Sequence, residues 1–228
     1  MTTTANGELQ SDASIHAAPG VYQPQEDSLL LASEMIRSAS PRGKKVLDLC
    51  TGSGILAIEA ARHGARKVAA YDISPEAVAC TAQNAARNRV HVDAFIGSIG
   101  EAVRYAPYDL VVCNPPYVPS SMPLSSTGEE RAWIGGMNGR VVLDPLCMNA
   151  RSLLVKGGVM LLVQSEYSCP QATFHQLSRL GFDCAVAASR TIDFGPVMNR
   201  HAQWLEKEKM LPPGKRTEEL VVIRAERR

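Results

Sequence analysis

The alternation of short apolar runs with helical segments is the feature that most constrains the fold of this chain of 228 residues. Parallel strands need a crossover between them, and that crossover is usually a helix. The alternation therefore predicts a doubly wound, Rossmann-like α/β sheet that binds ligands at the carboxyl ends of its strands. The predicted strands are 44–50, 68–71, 90–96, 110–113, 159–164, 185–188 and 220–223, and the predicted helices are 28–37, 55–63, 75–88, 144–155 and 170–180.

Two polar stretches depart from this pattern. The chain begins with a polar segment. We expect residues 1–20 to be disordered and residues 21–228 to form a single domain. A second polar stretch at about 192–219 is rich in proline and charge. We expect it to be a long insertion with one short helix near 202–210. Loops of that length are usually functional or mobile.

Composition and charge argue against several functional classes. The formal net charge is +1, so the chain has no overall electrostatic footprint for nucleic acid or an anionic membrane. No apolar run approaches the roughly 20 residues of a membrane span. The six cysteines form no Cys-x-x-Cys pair, so we expect no metal site in the chain, free thiols and a reducing, cytoplasmic compartment.

The fourth predicted strand stops abruptly at Asn114-Pro115-Pro116-Tyr117. Proline has no backbone N–H to donate to a sheet, and it fixes φ near about −65°. The two prolines therefore predict a stiff loop that holds the Asn114 amide, the neighbouring carbonyls and the Tyr117 ring in a preset geometry. Several acceptors at one point suit a substrate that presents an NH₂ group.

A cofactor site is predicted upstream. Gly52 and Gly54 follow the first strand and open a helix, and Asp72 ends the next strand 20 residues later. This spacing fits both a dinucleotide such as NAD and S-adenosylmethionine (AdoMet), because in both a carboxylate can bind the ribose hydroxyls. Asp48 places a further carboxylate near the two cationic groups of AdoMet. The Asn-Pro-Pro-Tyr loop favours AdoMet over an NAD-dependent dehydrogenase, which has no use for it.

The residues resemble the HemK-type, class I AdoMet-dependent methyltransferases. The matching stretches are Val21 to Pro24 with Glu26 to Ser28, Asp48 to Gly54, Asp72 with Pro75 to Asn88, Asn114 to Val118, Glu130 to Gly136, and Asn138 to Arg140. The compact branch without a helical N-terminal domain is the most similar. Its fold implies a seven-stranded, mostly parallel sheet with an antiparallel last strand.

The resemblance implies N5-methylation of the glutamine in the Gly-Gly-Gln loop of translation release factors. It also implies AdoMet as cofactor, S-adenosylhomocysteine as product and a small zinc-binding partner of the Trm112 type. The residues that it assigns to the cofactor are Asp27, Ser28, Asp48, Thr51, Gly52, Gly54, Asp72, Ile73, Ser98, Ile99 and Asn114. It assigns the substrate to Tyr22, Asn114, Pro115, Tyr117 and Trp133, and catalysis to Asn114, Pro115 and Tyr117.

Several alternatives stay open. Ser98 stands where the family usually has an acidic residue, and it is either an adenine contact or a turn residue. Trp133 is either a core anchor or a wall of the substrate pocket. The same site chemistry suits the exocyclic amine of adenine or guanine, or a small-molecule amine. A different class is an AdoMet-binding scaffold without activity.

For glutamine, we expect the Asn114 side-chain oxygen and the Pro115 carbonyl to accept the amide N–H groups. We expect the Tyr117 ring to pack on the amide and the proton to leave to water.

Overall fold

The computed structural model describes residues 11, 13–123 and 128–228, without the side chains of residues 128 and 129. These residues form one seven-stranded sheet in the order β3-β2-β1-β4-β5-β7-β6. The strands are β1 (Lys45–Leu49), β2 (Lys67–Asp72), β3 (Asp93–Ile96), β4 (Tyr108–Cys113), β5 (Leu154–Ser165), β6 (Phe182–Asp193) and β7 (Thr217–Arg227). The helices are α1 (Glu26–Ser38), α2 (Ile55–Arg62), α3 (Pro75–Arg87), α4 (Ile99–Val103), α5 (Leu143–Leu153), α6 (Pro170–Arg179) and α7 (Pro196–Lys207).

The direction of the strands confirms the predicted architecture. β1 pairs in parallel with β2 and β4, and β4 pairs in parallel with β5. β7 is antiparallel to both of its neighbours, β5 and β6. Along the chain, β2 and β3 are added on one side of β1, and the strands from β4 onward are added on the other side. Right-handed crossovers therefore place the helices of the two halves on opposite faces of the sheet. The carboxyl ends of the parallel strands and the start of β7 therefore meet at one edge.

The central strands are buried on both faces. Four of the five residues of β1 and five of the six residues of β4 are buried, as expected for a sheet covered by helices on both sides. Tyr108 and Leu110 at the start of β4 and Leu47 on β1 are among the fully buried side chains. This rigid centre fixes the positions of the loops that follow β1 and β4.

Part of the N-terminal stretch, for which disorder was expected, has a defined position in the structure. Residues 1–10 and 12 lie outside the described residues. Residues 13–20 pack along α3, where the Asn88 and Asn84 side chains accept hydrogen bonds from the backbone of Ser14 (2.9 Å) and His16 (3.2 Å). Side-chain amides that bond backbone groups supply the order that apolar periodicity would not reveal.

The predicted insertion at 192–219 folds into regular structure along most of its length. β6 extends to Asp193, β7 begins at Thr217, and α7 lies between them. The helix begins earlier than predicted, because Pro196 occupies its first position. Met198, Ala202 and Leu205 face the core at helical spacing. None of the helices in the described residues combines the length and apolar character that a membrane crossing requires.

Candidate active site

A cavity of about 1310 Å³ opens at the carboxyl edge of the sheet. One side is formed by the loops after β1, β2 and β3, and the other by the loop after β4 together with the segment from the end of β6 to the start of β7. Thirteen of the sequence-predicted site residues line it: Tyr22, Asp27, Ser28, Thr51, Gly52, Asp72, Ile73, Ser98, Ile99, Asn114, Pro115, Tyr117 and Trp133. Asp48 and Gly54 lie behind this wall.

The glycine turn after β1 is held by its special backbone angles. Gly52 and Gly54 have φ values of +56° and +85°, which residues with a Cβ rarely adopt. A Cβ on Gly54 would also lie 2.8 Å from Cγ2 of Thr81 on α3. The Thr81 hydroxyl in turn donates to the Gly52 carbonyl at 3.1 Å. Glycine at position 54 therefore lets the turn pack directly on α3.

Asp48 supports this turn from below. Its Oδ2 accepts hydrogen bonds from the Thr51 hydroxyl at 2.7 Å and the Ala57 N–H at 3.1 Å. Oδ1 is buried and has no hydrogen-bond partner among the described residues. Burial raises the pKa of Asp48 to about 7. Asp48 is not among the residues that line the cavity, so its expected contact with a cationic ligand stays a prediction.

Asp72 reaches the cavity from the end of β2. One of its oxygens accepts from the Gly52 N–H at 3.0 Å, and the other accepts from the Ser74 N–H at 2.9 Å. Burial raises the pKa of this carboxyl, and the backbone hydrogen bonds oppose the rise. Each carboxylate oxygen has a second lone pair. Asp72 can therefore accept the two hydroxyls of a ribose while it holds the turn in place.

Ser98 caps the short helix α4. Its hydroxyl accepts from the Gly100 N–H at 3.2 Å, and the Glu101 carboxylate accepts from the Ser98 N–H at 2.7 Å and from its hydroxyl at 2.5 Å. This reciprocal pattern is a capping box. Ser98 is thus a turn residue that also lines the cavity, and Glu101 brings a carboxylate next to it.

Asp27, at the start of α1, is the centre of a buried hydrogen-bond network. Its carboxylate accepts from the Tyr22 hydroxyl at 3.1 Å, from Asn114 Nδ2 at 3.0 Å and from the Tyr117 hydroxyl at 3.1 Å. The Ser28 N–H also donates to it at 2.6 Å. A helix N-terminus favours negative charge, so this position suits a buried carboxylate that gathers donors.

The network orients Asn114. Nδ2 donates to both Asp27 and the Ser28 hydroxyl, the latter at 3.1 Å. A carboxylate only accepts hydrogen bonds, so the nitrogen of the Asn114 amide must be the atom that faces Asp27. The side-chain oxygen accepts no hydrogen bond from the described residues, and Asn114 lines the cavity. This acceptor is therefore free for a ligand.

The two tyrosines stay protonated in this network. Burial is the main reason that the pKa of Tyr22 and that of Tyr117 lie well above the ordinary value, and the Asp27 carboxylate adds to both shifts. The sequence suggested only that the Tyr117 ring packs on the substrate amide. In the structure its hydroxyl also donates a hydrogen bond to Asp27. Both phenols are hydrogen-bond donors at neutral pH.

Trp133 is a core residue that also lines the cavity, and its contact with a substrate stays a prediction. Its side chain is only 8% exposed, belongs to the main hydrophobic core and lines the cavity. His201 on α7 meets the ring edge-on, with 5.4 Å between centroids. The Arg200 guanidinium lies 5.7 Å from the ring centroid. α7 therefore fixes the position of Trp133 in the wall of the cavity.

Comparisons with known proteins point to one enzyme class. Residues 30–115 match the family model described as Ribosomal protein L11 methyltransferase (PrmA). A Methanocaldococcus jannaschii protein to which protein N5-glutamine methyltransferase activity is ascribed is 33% identical over 181 residues, which cover 79% of this chain and 90% of the relative. Methyltransferase HEMK2 of Mus musculus is 35% identical over 178 residues, covering 75% of this chain and 83% of the relative.

The chain belongs to the HEMK2 family of methyltransferases. Its fold matches the E. cuniculi Mtq2–Trm112 complex, described as responsible for methylation of the eRF1 translation termination factor, with a TM-score of 0.61 and 23% identity over 92% of this chain and 99% of that one. It also matches the T. thermophilus 16S rRNA N2 G1207 methyltransferase in complex with AdoMet and guanosine, with a TM-score of 0.57 and 22% identity over 94% and 47% of the two chains.

Sequence reasoning missed one wall of the cavity in this HEMK2-family chain. The end of β6, the start of α7 and the start of β7 contribute lining residues on the side opposite the β1–β3 loops, including Ile192, Met198 and Glu218. Glu218 is 5% exposed, and its Oε2 is buried without a hydrogen-bond partner among the described residues. The signal available in the sequence was an acidic residue at the start of the last strand, which enters the sheet at its ligand-binding edge because that strand is antiparallel.

Proposed function

We propose that this chain transfers a methyl group from AdoMet to the side-chain amide nitrogen of the glutamine in a release-factor Gly-Gly-Gln loop. The observation that carries the proposal is the Asn114 amide, whose nitrogen is held by Asp27 and Ser28 and whose oxygen is left as an acceptor in the cavity wall. The name of the M. jannaschii relative supports the choice of a protein glutamine, and the description of the Mtq2–Trm112 complex supports the choice of a release factor.

The residues on the β1–β3 side of the cavity fit AdoMet. The Asp72 carboxylate is available to the ribose hydroxyls, and the glycine turn brings backbone N–H groups close to a ligand. The unpartnered Oδ1 of Asp48 suits a ligand that carries positive charge. AdoMet, when bound, supplies a methyl group on an electrophilic sulfonium and leaves as S-adenosylhomocysteine. Ser98, Ile73 and Ile99 line the part of the cavity where we place the adenine ring.

The residues after β4 orient the acceptor. A glutamine amide nitrogen is a poor nucleophile because its lone pair is delocalised, so positioning must supply most of the rate. Asn114 Oδ1 and the Pro115 carbonyl each accept one N–H of the amide, and the Tyr117 ring flanks it. Holding two reactants in line can lower a barrier by about 7–11 kcal/mol. The buried, donor-rich network around Asp27 keeps Asn114 in place during transfer.

A Trm112-type partner is the proposed occupant of the β3 edge. β3 is the outermost strand on its side of the sheet. The side chains of Phe95, Ile96 and Tyr105 are 43%, 60% and 63% exposed, and the Phe95 and Tyr105 rings stack with 6.3 Å between centroids. An uncovered edge with a row of exposed apolar side chains is an association site. The presence of Trm112 in the similar Mtq2–Trm112 complex motivates the choice of occupant.

The proposed compartment is the cytoplasm. All six cysteines are free thiols in the structure, and burial raises the pKa of Cys113 well above its ordinary value and that of Cys147 to about 12. Thiols of this kind behave as small apolar side chains, and a reducing environment preserves them.

Labelled AdoMet tests the function directly. The purified chain, with and without a Trm112-type protein, is incubated in parallel with a release factor, with the same factor whose Gly-Gly-Gln glutamine is replaced, with duplex DNA and with a panel of small amines. We expect transfer to the intact factor alone. Equal labelling of both factors, or labelling of DNA or an amine while the intact factor stays unlabelled, would show that the glutamine assignment is wrong.

A further inference from the structure

Glu218 is a buried carboxyl group in the cavity wall. The proposed function gives it no role. It lies at the second position of β7 and pairs with Ile192 on β6. The side chain lines the cavity, and Oε2 has no hydrogen-bond partner in the described part of the chain. A buried polar atom without a partner destabilises the folded protein, because its lost hydration is not replaced by a hydrogen bond. A group kept at that cost in a ligand cavity indicates a ligand contact.

The neighbouring groups already take part in hydrogen bonds or are already protonated. The Asp27 carboxylate already accepts from Tyr22, Asn114, Tyr117 and the Ser28 backbone. Tyr22 and Tyr117 stay protonated because burial raises the pKa of each phenol well above its ordinary value. The Asn114 amide does not titrate. Glu218 therefore differs from this whole group in having an acceptor oxygen that is both titratable and unoccupied.

Burial raises the pKa of Glu218 to about 7; a hydrogen bond from Ser165 opposes the rise, while the Asp27 and Glu166 carboxylates add to it. A base works best when its pKa lies near the working pH. Lys215 pairs with Glu166 at 2.9 Å and partly offsets that charge. The titratable and charged groups on the elements packed around Glu218 are Tyr22, Asp27, Tyr117, Glu166, Tyr167, Arg190, Asp193 and Lys215.

We propose that the Glu218 carboxylate is the base that takes the proton from the acceptor nitrogen during methyl transfer. The nitrogen lone pair forms the new N–C bond, and the C–S bond breaks with its electron pair going to sulfur. The methylated nitrogen then carries two N–H groups. Asn114 Oδ1 keeps one of them, and the other leaves the Pro115 carbonyl and passes its proton to Glu218, which later releases it to solvent. This inference rests on the proposed function, and it replaces water with a fixed group as the first proton acceptor.

The first test is the pH dependence of a single turnover at saturating AdoMet, which removes any effect of Asp48 on cofactor binding. With wild-type protein and a release factor, the rate should rise up to about tenfold per pH unit below 7 and level off above it. Glu218→Gln should lower the rate at pH 8 by about 100- to 10,000-fold and leave a residual rate that no longer depends on pH in this range. The AdoMet Kd should be unchanged.

Glu219→Gln is the matched control, because it makes the same change at the adjacent, exposed position. Its rate and pH profile should equal those of the wild type. A second readout is independent of activity. In protein labelled with ¹³C only at glutamate carboxyls, one resonance should titrate with a midpoint near 7 and be missing from Glu218→Gln.

The outcomes separate this inference from the function on which it rests. If the wild type does not methylate the Gly-Gly-Gln glutamine, both are overturned. If the wild type does so and Glu218→Gln keeps its profile, only the role of Glu218 is overturned. Should Glu218→Gln fail to fold, the wild type decides, since a flat rate between pH 5.5 and 8.5, or no glutamate that titrates near 7, contradicts the proposal.

Discussion

Asp27 sets the position of three side chains that come from separate parts of the sequence. Tyr22 precedes α1, whereas Asn114 and Tyr117 follow β4, and all three donate to the same carboxylate. Hydrogen bonds to a charged acceptor are worth about 1.5–3 kcal/mol, more than those between neutral groups. The orientation of Asn114 is thus fixed before a substrate arrives, which is what efficient positioning requires.

Asp27→Asn should therefore impair turnover more than cofactor binding. The new amide keeps one acceptor oxygen but presents its own N–H groups to three donors. We expect turnover to fall by about 10- to 100-fold, equivalent to the loss of about one charged hydrogen bond, with the AdoMet Kd changed less. Single-turnover rates and calorimetry measure the two effects. Glu26→Gln is the control, because it removes a charge from the same helix turn outside this network, and equal loss in both variants would contradict the network's role.

Asp48 predicts a pH-dependent affinity for AdoMet. Its pKa is raised to about 7 in the free protein, mainly by burial, and a bound cation stabilises the ionised form and lowers that pKa. Affinity is then full above pH 7 and falls as the pH drops below it. With one proton involved, binding at pH 6 should be about tenfold weaker than at pH 8. Calorimetry should find this slope in the wild type and in Glu218→Gln but not in Asp48→Asn; a slope that persists in Asp48→Asn would assign it to another group.

At the scale of elements, the glycine turn depends on both backbone conformation and close packing. Gly54 combines a φ of +85° with a contact that leaves no room for a Cβ beside Thr81. Gly214 has a similar φ of +79°, but a Cβ added there would meet nothing within 4 Å. The two glycines therefore separate the strain of the backbone from the steric conflict.

Gly54→Ala should destabilise the protein by more than Gly214→Ala. Backbone strain alone costs about 1–3 kcal/mol, and we expect Gly54→Ala to exceed the control by at least about 1 kcal/mol because α3 must also move. Adding Thr81→Ser to Gly54→Ala removes Cγ2 from the conflict and should recover part of that difference. Urea unfolding measures all three variants. Equal losses for the two glycine variants would show that packing against Thr81 is unimportant.

The elements themselves followed from the sequence where the pattern was local. The glycine-bounded helices α2 and α6 end within one residue of their predicted ends, because Gly64 and Gly181 take up the positive φ that terminates a helix. β6 and β7 are longer than predicted. Their polar outer halves, up to Asp193 and from Thr217, pair mainly with each other, and such antiparallel pairing of polar residues leaves no apolar run to recognise.

The site was predictable to the extent that its residues share a short motif. Asn114 and Tyr117 stand out because two prolines follow a strand, whereas Asp27 was assigned to the cofactor only through the family resemblance. Its contact with Asn114 joins residues 87 positions apart. Glu218 lies at the far end of the chain from Tyr22 and reaches the cavity only because β7 runs antiparallel between β5 and β6. Spacing in one sequence does not reveal such a contact.

At the scale of the whole molecule, the β3 edge should control association without affecting the cavity. Ile96→Ser with Tyr105→Ser removes exposed apolar area from this edge, so binding to a Trm112-type protein should weaken by at least about tenfold. The AdoMet Kd should stay the same. Met148→Ser is the control, since Met148 is 74% exposed on α5. Equal binding by the edge variant and the control in calorimetry would place the partner elsewhere.

The central claim is that Asn114 holds the acceptor nitrogen through its side-chain oxygen, and the most direct test compares Asn114→Ala with the wild type on a release factor. Rapid-quench single turnovers at saturating AdoMet measure transfer, and calorimetry measures cofactor binding. We expect Asn114→Ala to lose about 2–4 kcal/mol of transition-state stabilisation, the usual cost of one oriented polar contact in a closed site, with a much smaller change in the AdoMet Kd. Near-normal transfer by Asn114→Ala to the intact Gly-Gly-Gln glutamine would contradict the account.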